Sequence, residues 1–403
     1  MTTPAANAMP TVCIVAGEES GDQLGSELIK ALNEKLGPGV RYCGVGGERM
    51  TSLGLTSFFD MSDVSVMGLS AVLARLPLIV KRVYQTVDAA IAAKPDVLVI
   101  IDSPDFTHNV AKRVRKRAPH IPVVGYVSPS VWAWRPGRAK KMNVYVDELL
   151  ALLPFEPAVH EKLGGPRTHY VGHPLSENAD LLRPSEGERA PFEAAEKILL
   201  VLPGSRGSEI TRLLDVFGET VARVKADMPE VRVVLPAVAH LENRIRQGVA
   251  NWPVQPDIVT GLDAKRAAFR SAHSALAASG TVSLELALAG VPMVIAYKVD
   301  WFFRRLNDLN KIFKFASVDS FVLPNIILGT KAIPEFLNDE VQADVLAPLL
   351  TGYLADSPER AAQVAELNRL DDVMRLPDGY SQSAAAADVV IGCLSKKTKK
   401  HGA

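Results

Sequence analysis

Carboxylate side chains stand at the ends of two short apolar segments in the N-terminal half. Asp102 directly follows one segment, and Glu18 and Asp22 follow the other. A carboxylate at the carboxyl end of a buried strand can act as a general base on an attacking hydroxyl, which contributes roughly 10²–10⁴ in rate. We expect Asp102 to be this base, with Glu18 assisting or replacing it, because Pro104 redirects the chain before Asp105. A helix cap or turn is the alternative role for Asp102.

Two glycine-containing turns in the C-terminal half have the composition of phosphate-binding loops. They are Leu202-Pro-Gly-Ser-Arg-Gly-Ser-Glu209 and Ala278-Ser-Gly-Thr-Val-Ser-Leu-Glu285. Each follows an apolar run and precedes a helical pattern, so N–H groups and the helix dipole are available to an anion. Two such turns together suit a nucleotide diphosphate, although a Ser-capped helix with a solvent-facing arginine also explains the first. The residues expected to bind this nucleotide diphosphate are Gly204, Ser205, Arg206, Ser279, Gly280, Thr281 and Glu285.

Two of the four tryptophans fall within three residues of each other in Tyr126-Val-Ser-Pro-Ser-Val-Trp-Ala-Trp-Arg135, shortly before Arg138, Lys140 and Lys141. Indole rings beside cations can hold a sugar ring or anchor at a lipid headgroup layer. Filling the core is the alternative role for Trp132 or Trp134. We expect five residues to lie on the acceptor side of the site, where the molecule with the attacking hydroxyl would bind: Ser20, Asp22, Ser128, Trp132 and Trp134.

The fingerprints of other nucleotide enzymes are missing. Gly44-Val-Gly-Gly-Glu-Arg-Met50 begins like a dinucleotide-binding loop but has Arg49 where the third glycine belongs. The sequence contains neither a G-x-x-x-x-G-K-[ST] loop nor the D-x-D spacing that holds a cation on a nucleotide-sugar diphosphate. We therefore predict no metal and no other cofactor, with Arg206 and helix N-termini taking the part of the cation.

Charge and cysteine content narrow the class of protein. Lys+Arg and Asp+Glu number 45 each, so no overall field attracts nucleic acid. The three cysteines are odd in number and widely spaced, which fits a reducing cytoplasm better than a disulfide framework.

Short apolar, β-branched runs alternate with amphipathic ones along 403 residues, which predicts parallel sheets covered by helices on both faces. Residues 178–196, rich in Pro, Glu and Arg, interrupt the alternation. We predict an α/β protein of two tandem Rossmann-like, doubly wound domains that face a shared cleft, with C-terminal helices. The predicted parts are a domain that carries the candidate base (1–177), a linker (178–196), a nucleotide-binding domain (197–370), a C-terminal helix that packs back on the first domain (371–394) and a disordered basic tail (395–403).

The most apolar stretch, Val64 to Val80, is interrupted by Arg75 and Pro77 and is too short to span a bilayer. It can lie in a membrane interface or form a buried core helix. The residues expected on the lipid side are Val66, Met67 and Leu69.

These segments together resemble the lipid-A-disaccharide synthase family of inverting glycosyltransferases. The resemblance is carried, in family order, by Ala16-Gly-Glu-Glu-Ser-Gly-Asp22, Gly44-Val-Gly-Gly47, Asp102-Ser-Pro-Asp-Phe106, Tyr126 to Trp134, Leu153-Pro-Phe-Glu156, Val171-Gly-His173, Leu202-Pro-Gly-Ser-Arg206, Ala278-Ser-Gly-Thr281 and Leu323-Pro-Asn325. The run Ser-Pro-Ser-Val-Trp-Ala-Trp is specific, whereas Pro-Gly-Ser-Arg alone is not.

The resemblance implies a GT-B fold with the nucleotide bound mainly by the C-terminal half. It implies transfer from UDP-2,3-diacylglucosamine to 2,3-diacylglucosamine 1-phosphate in lipid A biosynthesis, with Asp102 as base and Arg206 on the donor phosphates. It adds Asn325 to the residues near the nucleotide. The enzyme would associate peripherally with the cytoplasmic face of the inner membrane; a homodimer is allowed, and no nucleic-acid partner is expected.

Other functions share parts of this pattern. Another GT-B enzyme acting on UDP-sugars, such as a peptidoglycan N-acetylglucosaminyltransferase-like enzyme or a UDP-sugar 2-epimerase, would carry the same phosphate turns. A non-catalytic nucleotide-sugar sensor would keep the fold but would not need Asp102 and Glu18.

Overall fold

The computed structural model describes residues 9–65, 69–194, 196–299, 320–377 and 379–400. The chain divides into two compact units. The first unit comprises Met1–His173 and Leu376–Ala403, and the second comprises Pro174–Arg375. The first unit is therefore built from both ends of the chain.

The first unit contains a parallel sheet built from short apolar runs. Its strands are β1 (Thr11–Ala16), β2 (Arg41–Val45), β3 (Thr56–Ser57), β4 (Val97–Ile101), β5 (Val123–Tyr126), β6 (Glu148–Ala151) and β7 (Arg167–Tyr170). Within the described residues the spatial order is β3-β2-β1-β4-β5-β6-β7, and every pairing is parallel. The order reverses between β1 and β4, the point at which doubly wound sheets bind ligands.

Helices cover both faces of this sheet. They are α1 (Glu19–Leu36), α2 (Glu48–Ser52), α3 (Leu69–Ala92), α4 (Thr107–Arg117), α5 (Gly137–Met142) and α6 (Glu156–Lys162). Because successive strand residues point to opposite faces, β1 contributes to two cores. Ile14 packs with residues of α1 on one side, and Val15 packs with residues of α3 and α4 on the other.

The second unit repeats this architecture. Its elements are α7 (Pro174–Glu177), β8 (Ile198–Leu202), α8 (Gly207–Asp227), β9 (Arg232–Ala237), α9 (Glu242–Val249), β10 (Asp257–Thr260), α10 (Leu262–Ser271), β11 (Ser274–Ala278), α11 (Thr281–Leu288), β12 (Met293–Tyr297), α12 (Leu323–Leu328), β13 (Glu335–Leu337), α13 (Ala343–Leu354) and α14 (Pro358–Val373). In the part of this unit that the structure describes, the strand order is β10-β9-β8-β11-β12-β13, again parallel. The reversal between β8 and β11 places the two predicted phosphate turns at neighbouring strand ends.

The stretch predicted as a linker belongs to the second unit. Arg189 donates hydrogen bonds to the backbone oxygens of Phe269, Arg270, Ala289 and Gly290. Two ion pairs between arginine and carboxylate side chains strengthen this attachment: Arg270 with Glu188, and Arg183 with Asp371. A sequence rich in charge and proline is thus fixed by specific polar contacts where an apolar pattern is lacking.

The chain ends in helix α15 (Gln382–Lys400), which packs on α1 in the first unit. Its buried side chains include Ala386, Ala387 and Val390, and Gln382 Nε2 donates to the Tyr126 hydroxyl at 2.6 Å. The backbone is helical as far as Lys400, whereas the sequence analysis expects a disordered tail from residue 395. Lysine favours helix, and cations at a helix C-terminus interact favourably with its dipole.

Helix α3 has a buried half and an exposed apolar stripe. Val83 and Val87 pack in the core, whereas Leu76, Val80 and Tyr84 are 46%, 45% and 51% exposed at a spacing of four residues. None of the described helices combines the length and the hydropathy needed to cross a bilayer. Val66 and Met67, expected on the lipid side, lie outside the described residues, as does the side chain of Leu69.

Candidate active site

Asp102 lies at the carboxyl end of β4, where the backbone adopts an uncommon conformation. Asp102 and Ser103 have φ angles of 46° and 42°. The Asp102 N–H donates to the Tyr126 carbonyl oxygen at 2.9 Å, and Asp102 Oδ1 accepts from the Ser103 N–H at 2.8 Å. Non-glycine residues with positive φ are strained and cluster at functional sites. Holding Asp102 in this orientation therefore lowers the conformational stability of the protein.

Glu18 lies against Asp102, as the order of the strands predicts. The pKa of Glu18 is raised above its usual value by burial, then by repulsion from the Asp102 carboxylate and a hydrogen bond with it, while a hydrogen bond with Ser20 lowers it. Gly17 makes this approach possible, because a Cβ there would lie 2.7 Å from Ser103 Cβ. A carboxyl whose pKa is raised by burial and by a second carboxylate is typical of catalytic sites.

Asp22 has a structural position instead of the acceptor-side position predicted for it. Its side chain is only 3% exposed and accepts hydrogen bonds from the backbone N–H groups of Gly47, Arg49 and Met50, at 2.7–3.2 Å. A short Asp side chain satisfies the free donors at the start of α2. Asp22 thus fixes the loop after β2, and the sequence pattern did not distinguish this role from ligand binding.

Ser128 and Trp132 are held by two residues that the sequence analysis did not single out. Ser128 Oγ lies 2.8 Å from His160 Nε2, and Trp132 Nε1 donates to Glu156 Oε1 at 3.2 Å. Burial raises the pKa of Glu156 to about 7 and lowers that of His160 to about 4. The Trp132 ring also meets Phe155 edge-on, with centroids 5.4 Å apart. This buried network fixes the Trp-rich loop, and Leu153-Pro-Phe-Glu156 was its signal in the sequence.

Trp134 differs from Trp132 in exposure. Its side chain is 54% exposed, and the Arg135 guanidinium lies 5.0 Å from its ring centroid. An exposed indole with one face beside a cation retains a surface for a sugar ring or lipid. Of the two tryptophans, Trp134 is available for stacking.

The turn after β8 is filled by the side chain of Glu209, which comes from the first turn of the helix that follows, α8. The Glu209 carboxylate accepts from the N–H groups of Ser205 and Arg206 at 3.1 and 3.3 Å and from Arg206 Nη1 at 3.0 Å. Gly204, with φ 116°, makes room for it, since a Cβ would lie 2.5 Å from Glu209 Oε2. Gly204 and the Ser205 N–H therefore serve Glu209 instead of forming the predicted phosphate cradle. Arg206 keeps a side chain that is 74% exposed.

The turn after β11 is more open. Gly280 has φ 154°, and a Cβ added there would meet no atom within 4 Å. Thr281 is exposed and begins α11, whereas the Ser279 hydroxyl donates to the Phe321 carbonyl oxygen at 2.8 Å. Backbone donors of Gly280 and Thr281 thus border solvent at a helix start, where an anion is favoured.

Glu285 and Asn325 have partners within the protein. Lys265 Nζ donates to both Glu285 carboxylate oxygens, at 2.9 and 2.7 Å. Asn325 is 1% exposed, and its amide bonds both backbone polar groups of Ile333 at 2.8 and 3.0 Å. Glu285 can reach a ligand while Lys265 fixes its orientation. The Asn325 side chain instead closes the segment after α12 and does not fit the direct nucleotide contact predicted for it.

Comparison with known proteins identifies the family to which the chain belongs. A sequence model described as lipid-A-disaccharide synthetase matches residues 12–389. The lipid-A-disaccharide synthase of Nitrobacter winogradskyi is 52% identical over 390 residues, which cover 96% of each chain. That of Rhodopseudomonas palustris (strain HaA2) is 50% identical over 393 residues, 96% of this chain and 98% of the relative. The chain belongs to the lipid-A-disaccharide synthase family.

Solved structures agree with this family in fold. UDP-GlcNAc 2-epimerase from Neisseria meningitidis, bound to UDP-GlcNAc, has a TM-score of 0.60 at 11% identity, over 96% of this chain and all of its own. The glycotransferase of kitacinnamycin has a TM-score of 0.59 at 18% identity, over 96% of this chain and 99% of its own. At these identities the likeness shows the fold alone, which is the predicted GT-B type.

Membership of the lipid-A-disaccharide synthase family makes the chain an enzyme, a glycosyltransferase of lipid A synthesis. Its substrates are a sugar nucleotide and a lipid–sugar phosphate. The epimerase, peptidoglycan-enzyme and sensor alternatives are not favoured. Among the described residues, no group of three or more His, Cys, Asp or Glu side chains could hold a metal ion.

Proposed function

We propose that this glycosyltransferase moves 2,3-diacylglucosamine from UDP-2,3-diacylglucosamine to the 6-hydroxyl of 2,3-diacylglucosamine 1-phosphate with inversion. The products are UDP and the β-1′,6-linked disaccharide 1-phosphate. The observation that carries the proposal is the Glu18–Asp102 carboxyl pair at the reversal point of the first sheet. A reaction that needs one proton acceptor at an attacking oxygen is suited to such a pair.

In this mechanism Glu18 supports Asp102, and burial and the neighbouring Asp102 raise the pKa of Glu18. Asp102 accepts the proton of the 6-hydroxyl while that oxygen forms a bond to the anomeric carbon of the donor. The bond from that carbon to the UDP oxygen breaks, and its electron pair leaves with UDP. The strained backbone of Asp102 and Ser103 holds the carboxylate in position for this step.

The donor diphosphate is assigned to the second unit. Arg206, just before α8, has an exposed side chain, and its contact with the buried Glu209 restricts its orientation. The open N-terminus of α11 at Gly280 supplies backbone donors. Charge that develops on UDP is stabilised by such preorganised groups, usually the largest single contribution to catalysis.

Contact with a membrane surface is the second part of the proposal. The exposed stripe Leu76, Val80 and Tyr84 on α3 would lie in the interface on the cytoplasmic face of the inner membrane. The variant Leu76→Ser with Val80→Ser should remain folded and release active enzyme from vesicles, whereas Leu262→Ser, at a 60% exposed site in the second unit, should not. Unchanged vesicle binding of the double variant would contradict this contact.

Mass spectrometry of the product formed from both acylated substrates tests the reaction. The expected product is the acylated disaccharide 1-phosphate, formed with one UDP per transfer. Turnover of unacylated UDP-GlcNAc to an epimer, with no disaccharide from acylated substrates, would contradict the proposed function.

A further inference from the structure

Four cationic side chains of the first unit lie together beside the loop that carries Asp102. This cationic cluster consists of Lys112 and Arg113 on α4 and Arg138 and Lys141 on α5. The pKa of Lys112 is lowered first by burial and then by repulsion from Arg138, Arg113 and Lys141, whereas Asp105 raises it. Positive charge is therefore concentrated here beyond what the surrounding carboxylates offset.

Aromatic rings hold Lys112 and Arg113, the two members of the cluster on α4, without neutralising them. Lys112 Nζ lies 5.1 Å from the Tyr145 ring centroid, and the Arg113 guanidinium lies 5.0 Å from that of Tyr84. The Tyr145 hydroxyl is 3.0 Å from His108 Nδ1. Cation–π contacts orient ammonium and guanidinium groups but leave their charge available to an anion.

The nearby titratable groups do not cancel this charge. Burial, followed by repulsion from Arg138 and Lys112, lowers the pKa of His108 to about 3, so His108 is neutral at physiological pH. The Asp105 carboxylate is fully exposed and lies 3.7 Å from Arg138 Nη2. At that distance in water it is a weak partner that a stronger anion can displace.

The position of the cluster connects it to the reaction. Asp105 lies three residues after Asp102 in the loop between β4 and α4, and Arg138 reaches Asp105 from α5. A ligand whose hydroxyl lies at Asp102 would thus sit on the loop that Arg138 contacts. Arg and Lys together match a phosphate, with the planar guanidinium giving direction and the ammonium giving charge.

We propose that the cationic cluster binds the phosphate of the acceptor and so determines which sugars accept transfer. This inference rests on the proposed function. A phosphate of a membrane lipid has the same chemistry, and Tyr84, which contacts Arg113, also belongs to the exposed stripe of α3. The experiment therefore has to separate the acceptor's phosphate from a lipid headgroup.

The test compares acceptors with and without the 1-phosphate, both presented in neutral detergent micelles. Arg138→Gln with Lys141→Gln should lower kcat/KM for the phosphorylated acceptor by about 10- to 100-fold. The same variant should leave kcat/KM for the unphosphorylated acceptor, the KM for the donor and the melting temperature unchanged. Lys162→Gln, an exposed lysine on α6, controls for loss of surface charge.

The outcomes separate the possibilities. If the double variant lowers kcat/KM equally for both acceptors, or lowers neither, the cluster does not bind the acceptor's phosphate and the inference fails. If it instead loses binding to phosphatidylglycerol vesicles with both kinetic constants unchanged, the cluster serves a headgroup and the inference fails. Absence of any disaccharide with the wild-type enzyme would overturn the proposed function itself, and this inference with it.

Discussion

The variant Asp102→Asn should keep its fold and its UDP affinity and lose roughly 10²–10⁴-fold in kcat, the usual contribution of a positioned general base. Asparagine has the same shape, can still accept from the Ser103 N–H at 2.8 Å and tolerates the positive φ of 46°. What it removes is the proton acceptor.

Glu18 determines how much activity survives. The repulsion from Asp102 and the hydrogen bond with it both raise the Glu18 pKa, so Asp102→Asn should lower that pKa and favour the deprotonated form of Glu18. Displaced from the attacking oxygen, it would be a poor substitute base. The residual activity of Asp102→Asn should therefore vanish in the double variant with Glu18→Gln, while Glu18→Gln alone loses less than Asp102→Asn.

The assay measures UDP release at saturating substrates across pH, with UDP affinity by calorimetry and fold by circular dichroism. Because the two carboxyls are coupled, their effects on kcat should not add. A wild-type rate for folded Asp102→Asn would refute the reasoning. A larger loss for Glu18→Gln than for Asp102→Asn would transfer the role of base to Glu18.

Three further outcomes follow from the described contacts. Burial raises the pKa of Glu156 from 4.5 to about 7, so between these pH values the native state binds more protons than the unfolded chain, and this contribution to stability is lost as pH rises. From pH 4.5 to 7 the free energy of unfolding of the wild type, measured by chemical denaturation, should therefore fall by up to about 3 kcal/mol relative to that of Glu156→Gln. A difference between the two proteins that does not change with pH would contradict the buried environment of Glu156. Glu209→Gln should raise the donor KM several-fold by loosening Arg206, with the acceptor KM unchanged; an unchanged donor KM would remove Glu209 from the positioning of Arg206. Gly280→Ala should weaken UDP binding at least about 10-fold. The control is Gly261→Ala, which also lies at positive φ before a helix and in open space, and which should lower stability by a similar amount but leave UDP binding intact. Equal UDP affinities of the two variants would show that the donor does not approach Gly280.

The sequence predicted the fold because periodicity and strand order are local and topological properties. Apolar β-branched runs became central parallel strands, and the strand order brought Glu18 to Asp102 without any contact information. The boundary between the two units was harder to predict from the sequence. Residues 178–194 lack an apolar pattern, and their attachment through Arg189 depends on carbonyl groups that no pattern identifies.

The roles of polar side chains were predicted less well, for a physical reason. Asp22, Asn325 and Glu209 have types and spacings that suit ligand binding, yet each satisfies backbone groups of the protein. A turn that binds phosphate and a turn that binds its own carboxylate need the same free N–H groups. Only the position of the competing acceptor separates the two cases, and Glu156 and His160 were missed for the corresponding reason.

Helix α15 has a consequence for biosynthesis. Residues 1–173 leave the ribosome long before Ala386 and Val390, which complete their core, and before Gln382, which donates a hydrogen bond to the Tyr126 hydroxyl. Until α15 has been synthesised, the nascent N-terminal part exposes an apolar surface beside α1, a state in which chains aggregate. A stop codon at residue 376 would therefore remove part of the N-terminal core while leaving the second unit whole.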